Sequence, residues 1–442
     1  MTQLKDKKVA VISLGCDKNR VDTEYMLGNI KGFASLTDDP ADAEIIIVNT
    51  CAFLEASRKE SVDTVLEFNE YRKFGKLEKL VVTGCLPQKF TAEIFDDFTE
   101  ADVFLGFSDY DLLEDALNEA YTGKRVNYVG RKKRVENRNR VVSTPLHYAY
   151  LKIADGCNTH CTYCLIPSIR GKYVSEPIEK LLSEAESLGD ISELILVAQD
   201  ITRYGTDLYG KAELPALINE LSALENVKGI RLLYCYPDMI DDGLISVIKN
   251  NPKVIKYVDI PLQHADDRIL KLMNRPGSGS EYLALINKLK TEIPDIAVRS
   301  TFITGFPGED ETAFENLKSF IKKAKLFNAG FFAYSREEGT PAYKMKDQVP
   351  ASVKKKRLKE LYGLQKDISA KNLSVYVGKT VNVTFDEIDY EREVFVGRAY
   401  FSAPDIDGKV YFTSDRTVNQ GEVYKVKIKS TDAYDLYGSV ID

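Results

Sequence analysis

The chain has little cysteine, little histidine and no long apolar run, and each scarcity removes a class of protein. Seven cysteines in 442 residues are an odd number spread over a long chain, which does not describe a disulfide framework. No apolar run approaches the length needed to cross a bilayer. Met1 to Lys8 is polar and leads straight into an apolar run, so no signal peptide is visible. A cytoplasmic, reducing location is the expectation. Positive charge is also in deficit. With 60 Lys and Arg against 67 Asp and Glu, the net charge of −7 argues against a general nucleic-acid binder. What remains is an ordinary globular composition, 44% hydrophobic and 29% charged. The chain is too long for one core, so roughly two to four domains are expected.

Three of the cysteines stand within eight residues, in Ala154-Asp155-Gly156-Cys157-Asn158-Thr159-His160-Cys161-Thr162-Tyr163-Cys164. The apolar run Tyr148 to Ile153 just before them reads as a strand. A loop this short can turn all three thiolates toward one point. Thiolates are soft ligands that suit iron–sulfur clusters and zinc. Zinc would want a fourth ligand, and His160, lying between two of the cysteines, is badly placed to close a tetrahedron with them. A cubane iron–sulfur cluster held by three cysteines keeps one iron open for a substrate or cofactor.

Three more cysteines follow a different rule. Val9 to Leu14, Ile45 to Val48 and Leu80 to Thr83 are candidate strands, with helical periodicity over Asp22 to Ile30 and Glu55 to Tyr71 between them. Such alternation predicts an α/β, doubly wound parallel sheet. The strands run out into Gly15-Cys16, Asn49-Thr50-Cys51 and Gly84-Cys85. Ligands of open α/β sheets bind at the carboxyl ends of strands, so Cys16, Cys51 and Cys85 should converge into a second cluster site. A single strand-end cysteine would read as a small buried hydrophobe. Three in register do not.

Asp102 to Gly106 and a helix over Asp109 to Tyr121 complete this first domain, taken as residues 1–130. Lys124 to Arg140, with Arg131-Lys132-Lys133-Arg134, reads as a solvated linker or an RNA or ribosome contact, and the domain boundary is drawn as a linker over 131–147. From Tyr148 the alternation resumes with strands over Glu193 to Ala198, Gly229 to Tyr234, Tyr257 to Pro261, Ala297 to Gly305 and Ala329 to Tyr334. Six βα-type units are too few for a closed eightfold barrel, so a partial (β/α)6 barrel over 148–350 is expected. Its strand ends carry Gln199-Asp200, Gln263-His264 and Thr304-Gly305-Phe306-Pro307-Gly308-Glu309. Cys235 reads as structural, and His264 as a local hydrogen-bonding residue.

A basic connecting helix is expected over 351–373. From 374 to 442 five short alternating runs, with Asp407-Gly408 as a hairpin turn, suggest a small OB-like β-barrel. From Val375 onward there are eight Lys or Arg against twelve Asp or Glu. An acidic barrel suits a basic protein better than a polyanion. The run Asp386-Glu387-Ile388-Asp389-Tyr390-Glu391 supplies candidate contacts.

CxxxCxxC with Tyr163 just before its last cysteine resembles the radical S-adenosylmethionine (SAM) enzymes. The resemblance implies a 4Fe–4S cluster on Cys157, Cys161 and Cys164, with SAM chelated by the open iron and Tyr163 near the adenine. The segment from Thr304 to Glu309 looks like that family's adenosine-binding strand, so Gln199, Gly305 and Glu309 join Tyr163 as candidate SAM contacts. The order of the three domains resembles the methylthiotransferases over the whole chain. Their pattern implies an auxiliary 4Fe–4S cluster on Cys16, Cys51 and Cys85 and a C-terminal TRAM domain. Two branches compete: MiaB-type enzymes modify an adenosine beside the tRNA anticodon, and RimO-type enzymes an aspartate of ribosomal protein S12. Gly15-Cys16-Asp17-Lys18-Asn19, Ala154 to Asn158, Ile166-Pro167-Ser168-Ile169-Arg170-Gly171 and Gln199 to Gly205 look RimO-like, although family members often carry proline where Asp17 stands. The implied reaction replaces a C–H bond at an aspartate β-carbon with C–S–CH3. The first cluster would pass an electron to SAM to make the abstracting radical, and the auxiliary cluster would hold the sulfur, which a second SAM methylates. The implied partners are ribosomal protein S12 or the small ribosomal subunit and a low-potential electron donor of flavodoxin or ferredoxin type. tRNA enters only in the MiaB-type alternative.

Overall fold

The computed structural model describes residues 4–131 and 138–441. Two compact units emerge, the first made of Met1–Ser143, Asp155–Thr159 and Cys164–Tyr173, the second of Thr144–Ala154, His160–Tyr163 and Val174–Asp442.

In the first unit, strands β1 (Lys8–Ser13), β2 (Ser35–Leu36), β3 (Ile45–Thr50), β4 (Lys79–Gly84), β5 (Val103–Phe104) and β6 (Val126–Asn127) form one sheet in the order β2-β1-β3-β4-β5-β6. Every ladder is parallel. Ile45 and Ile47 pack on one face with Val9, Val81 and Val103, while Ile46 and Val48 pack on the other with Ala10, Leu80 and Val82. Both faces are therefore covered, which is why these strands are near-continuous Ile, Leu and Val. The doubly wound expectation holds. The first helix runs Asp17–Ile30, five residues earlier than its periodicity suggested, because its first turn carries the polar Asp17, Lys18 and Asn19. A helix over Cys85–Ile94 had no counterpart in the sequence reading. Pro87 obscures it, yet proline is tolerated in a first turn.

The expected linker is only partly a linker. Lys132, Lys133 and Arg134 lie outside the described residues. Residues 138–143 are partly exposed but tied to the first helix. Arg140 pairs with buried Glu24, and the Ser143 N–H and hydroxyl both donate to Glu24 Oε1 at 2.8 Å.

The second unit contains β7 (Tyr148–Lys152), the first residue of the two-residue strand β8 (Ala154–Asp155), β9 (Val174–Ser175), then β10 (Glu193–Val197), β11 (Ile230–Leu232), β12 (Val254–Gln263), β13 (Ala297–Thr304) and β14 (Asn328–Ala333). Six of them form a parallel sheet in the order β14-β13-β12-β11-β10-β7, with β7 and β14 as unpaired edges among the described residues. This is the open partial barrel. The helix Ala351–Ser374 follows, and then a closed barrel of β15 (Thr380–Asp389), β16 (Val394–Arg398), β17 (Val410–Thr413), β18 (Val423–Thr431) and β19 (Leu436–Val440).

The small barrel is fastened to the amino-terminal ends of the parallel strands. Arg398 reaches Glu193 at 2.8 Å, Arg231 donates to the Tyr400 carbonyl at 2.9 Å, and Tyr257 donates to Asp407 at 2.7 Å. One expectation falls here. Asp407-Gly408 is no tight hairpin turn: the β16–β17 connection is long, and Asp407 is committed to Tyr257 and Arg299. Asp386 is tied into the fold, held by His147 at 2.7 Å and Arg398 at 2.8 Å. Part of the acidic surplus counted from sequence is therefore internal charge balance.

Candidate active site

Strand ends and helix starts assemble the first cysteine group. β1, β3 and β4 are neighbours, so their carboxyl ends lie side by side. Cys16 is the N-cap of helix Asp17–Ile30 and Cys85 the first residue of helix Cys85–Ile94. A helix amino terminus favours a thiolate. Gly15, at φ +91°, lets the chain pass Cys51 closely: a Cβ there would stand 3.0 Å from Cys51 Cβ and 3.2 Å from its Sγ. Ser61 locks Cys51, accepting its N–H at 3.0 Å and donating to its carbonyl at 2.9 Å. Burial pushes the Cys85 thiol up to about 11. Arg170 opposes that rise, and Cys16 and Cys51 add to it. Burial raises Cys51 as well, with Cys16 again contributing. The three sulfurs thus share one electrostatic neighbourhood. A cleft of about 230 Å³ opens at Cys16, bordered by Ser13, Gly15, Asp17, Arg20 and Ser143.

Among the described residues, no three His, Cys, Asp or Glu side chains stand close enough to share a single ion. Thiolates on different corners of a cubane bind different irons, so this wider spacing is compatible with a cluster. The donors around the sulfurs fit one too. Arg170 Nη2 donates to Cys85 Sγ at 3.5 Å. The Tyr110 hydroxyl is fully buried with no hydrogen-bond partner among the described residues, and Cys85 belongs to its charge environment.

In the loop motif, N–H groups meet each sulfur. Thr159 N–H donates to Cys157 Sγ at 3.3 Å, and Ile166 N–H to Cys164 Sγ at 3.4 Å. Arg275 Nη1 lies 3.9 Å from Cys161 Sγ. Donors on sulfur stabilise thiolate charge and tune clusters, so this donor set fits an iron–sulfur group as well. The middle of the loop is pinned at Thr162, whose N–H donates to Met273 O at 3.0 Å and whose hydroxyl donates to Leu272 O at 2.8 Å. Tyr163 stands edge-on to Phe306, ring centres 6.4 Å apart, so it and the Gly305 turn share one apolar cluster.

The remaining candidates are placed differently. Gln199 follows β10 and is half-buried. Glu309 is buried and fully engaged: it accepts from Arg357 at 2.7 Å, Gly305 N–H at 2.9 Å, Thr304 at 3.0 Å and His264 at 3.1 Å. His264 therefore has the local bonding role expected of it. Gly305, at φ +76°, faces protein: a Cβ would stand 2.3 Å from Lys354 Cγ. Cys235 is fully buried. Sequence reasoning missed Arg275 and quoted Arg170 only within a family-like motif, without a role, because nothing along the chain marks which arginine will be buried beside sulfur. It also missed Tyr234 (φ 63°) and Gln263 (φ 72°), non-glycine residues held left-handed at the ends of β11 and β12. Such backbone costs about 1–3 kcal/mol and gathers at functional edges.

Family models match all three parts: Uncharacterized protein family UPF0004 over residues 8–106, the Radical SAM superfamily over 151–321 and the TRAM domain over 377–441. Ribosomal protein uS12 methylthiotransferase RimO of Lachnoclostridium phytofermentans is 45% identical over 442 residues, 98% of this chain and 99% of its own. RimO of Clostridium kluyveri is 46% identical, covering 98% of each chain, and that of Geobacter sulfurreducens 44%, covering 98% and 99%. The chain belongs to the RimO family. Radical SAM membership brings with it a 4Fe–4S cluster and SAM. Among solved structures, the radical SAM methyltransferase TsrM of Kitasatospora setae, with cobalamin and a [4Fe-4S] cluster bound, aligns with TM-score 0.55. At 12% identity over 76% of this chain and 74% of that one, it is a likeness of fold alone. Among the described residues, no helix is long and apolar enough to cross a membrane.

Proposed function

We propose that this chain inserts a methylthio group at the β-carbon of an aspartate in ribosomal protein uS12. The observation that carries the proposal is near-full-length identity of about half to RimO relatives, 44–46% in those described above. In this reading Cys157, Cys161 and Cys164 hold the cluster that works with SAM, and Cys16, Cys51 and Cys85 hold a second 4Fe–4S cluster. Bound there, these groups supply one-electron cleavage of SAM and an iron-bound sulfur, which acid–base chemistry cannot provide at an unactivated C–H bond.

The chain's own residues do the rest. Thr159, Ile166 and Arg275 direct N–H groups at the loop sulfurs, where they would favour negative charge on a bound cluster. Tyr163 and Phe306 form an apolar wall suited to an adenine ring. Glu309 contributes by fixing the turn at Gly305, since every donor around it is protein. The cleft at Cys16 is the natural entry to the second site. A low-potential flavodoxin- or ferredoxin-type protein is the expected reductant.

The deciding experiment offers purified uS12, intact small subunits and tRNA to the anaerobically reconstituted enzyme with SAM, reductant and sulfide. A mass gain of one methylthio group on uS12, alone or in the subunit, is the expected result. Modification of tRNA alone would overturn the proposal.

A further inference from the structure

Three motifs quoted above for their family likeness meet at one side chain, whose role beside Cys85 goes beyond the cysteines they carry. Arg170 closes the short helix Ile166–Ile169 and is almost wholly buried. Its Nη1 donates to Asp22 at 2.8 Å and to Asp155 at 2.9 Å, the latter from the segment just ahead of Cys157. Its Nη2 donates to Asn19 Oδ1 at 2.5 Å and to Cys85 Sγ at 3.5 Å. Asn19 has no freedom to turn away. Its amide nitrogen donates to Leu14 O and Thr50 O, both at 3.0 Å, which leaves the oxygen facing the guanidinium. The ring of Phe107 lies 4.5 Å from the guanidinium carbon. Only a planar fork reaches this set of acceptors at once, and lysine could not.

A salt bridge to Asp22 would use one edge of the guanidinium. The other edge is aimed at sulfur. We propose that Arg170 is a positioning residue of the strand-end cysteine site, where it orients Cys85 and raises the reduction potential of the cluster bound there. The inference rests on the second-cluster reading above. Its physics is direct: reduction adds negative charge to the cluster, and a buried cation donating to a cluster sulfur favours that state. Asp22 and Asp155, the carboxylates that Arg170 meets, oppose it. Removing Arg170 takes the positive member of this group away from the cysteine sulfur.

The test uses full-length protein carrying Cys157→Ala, Cys161→Ala and Cys164→Ala, so that the strand-end cluster is the sole one. After anaerobic reconstitution, iron is counted, and the cluster is titrated with dithionite and redox mediators while EPR follows the reduced form. Arg170→Met should lower the ratio of reduced to oxidised cluster at a fixed potential at least tenfold, about 59 mV for a one-electron couple. Arg170→Lys should lower it less. Asp22→Asn, which keeps the arginine and removes an opposing charge, should raise it. The opposite signs protect the test: a purely structural arginine would give loss of iron without ordered shifts, and if Arg170→Met fails to fold, Arg170→Lys and Asp22→Asn still read the effect. An unchanged ratio in the variants that hold about four irons overturns the proposal. A parent without iron overturns the second-cluster reading itself, and this proposal with it.

Discussion

Cys157, Cys161 and Cys164 lie on one loop of eight residues, whereas Cys16, Cys51 and Cys85 are each separated by a strand and a helix. The loop group is close at hand in any conformation of the chain. The strand-end group exists only when β1, β3 and β4 are paired, so its assembly is coupled to the folding of the sheet. Their surroundings differ in the same sense. Arg275, beside Cys161, has a carbonyl of Pro261 and the Tyr236 ring as neighbours, while Arg170, beside Cys85, is balanced by Asp22 and Asp155. One site is locally encoded with a lightly compensated cation. The other is encoded by tertiary structure with a compensated one.

The largest effects should come from deleting each group. Two clusters would give about eight irons in the reconstituted enzyme; alanine at Cys157, Cys161 and Cys164 should then remove half the iron and all 5′-deoxyadenosine formation. Alanine at Cys16, Cys51 and Cys85 should also remove half, leave 5′-deoxyadenosine measurable and yield no methylthio product by mass spectrometry. If either triple variant loses both halves, the two sites are not independent and the comparison collapses.

Asn19→Ala sharpens it. This side chain ties Leu14, Thr50 and Arg170 together at the strand ends and has no counterpart in the loop. Unsatisfied buried partners should cost about 3 kcal/mol in denaturant melts. Iron should be lost from the strand-end site first, with SAM cleavage retained. Equal loss from both sites would refute the local-versus-tertiary distinction.

Glu193→Gln supplies a control within the second unit. Burial alone would raise the pKa of Glu193, but Arg231 and Arg398 more than offset it and hold the carboxyl down to about 2. A depressed carboxyl stabilises the fold above its unfolded pKa, near 4, and loses that contribution as pH falls toward 2. Loss of the charge leaves buried Arg231 hydrogen-bonded only to the Tyr400 carbonyl and Arg398 only to Asp386 among the described residues, so about 3 kcal/mol should disappear at pH 7. The difference between wild type and variant should shrink as pH falls from 4 to 2. A constant difference across that window would mean that Glu193 is not the anchoring charge.

The smallest effect concerns the C-terminal barrel. Glu387 pairs with Lys409 at an exposed site, and Asp389 caps its own turn. Reversing both to lysine should change stability by less than about 1 kcal/mol and weaken binding of uS12 at low salt, leaving 5′-deoxyadenosine formation intact. Asp386→Lys should instead destabilise the second unit, because it breaks the contacts with His147 and Arg398. Equal behaviour of the three acids would contradict their different placement.

Much of the architecture was legible along the chain because alternating hydrophobicity is a local property. The strand positions of both parallel sheets and of the small barrel follow the apolar runs closely. The misses share a cause. Helix Cys85–Ile94 is masked by Pro87, the early turn of helix Asp17–Ile30 by polar residues that are buried through hydrogen bonds, and the tethered segment 138–143 by a charge density that looks solvated. In each, tertiary partners outweigh the pattern that one-dimensional reading uses.

The candidate site divides the same way. The sequence by itself determined the six sulfur positions, because cysteine spacing in a loop and cysteine at the ends of successive strands are both visible in order along the chain. Only the tertiary structure decided what surrounds the sulfurs. Arg170 and Arg275 are two of many arginines until burial makes their charge count. His264, Thr304, Gly305 and Arg357 enclose Glu309, and Arg398 reaches Asp386, neighbours that no order along the chain announces. The reason is physical. Thiol chemistry belongs to the residue, whereas the energy of a charge belongs to its surroundings, and the surroundings are assembled from distant parts of the chain.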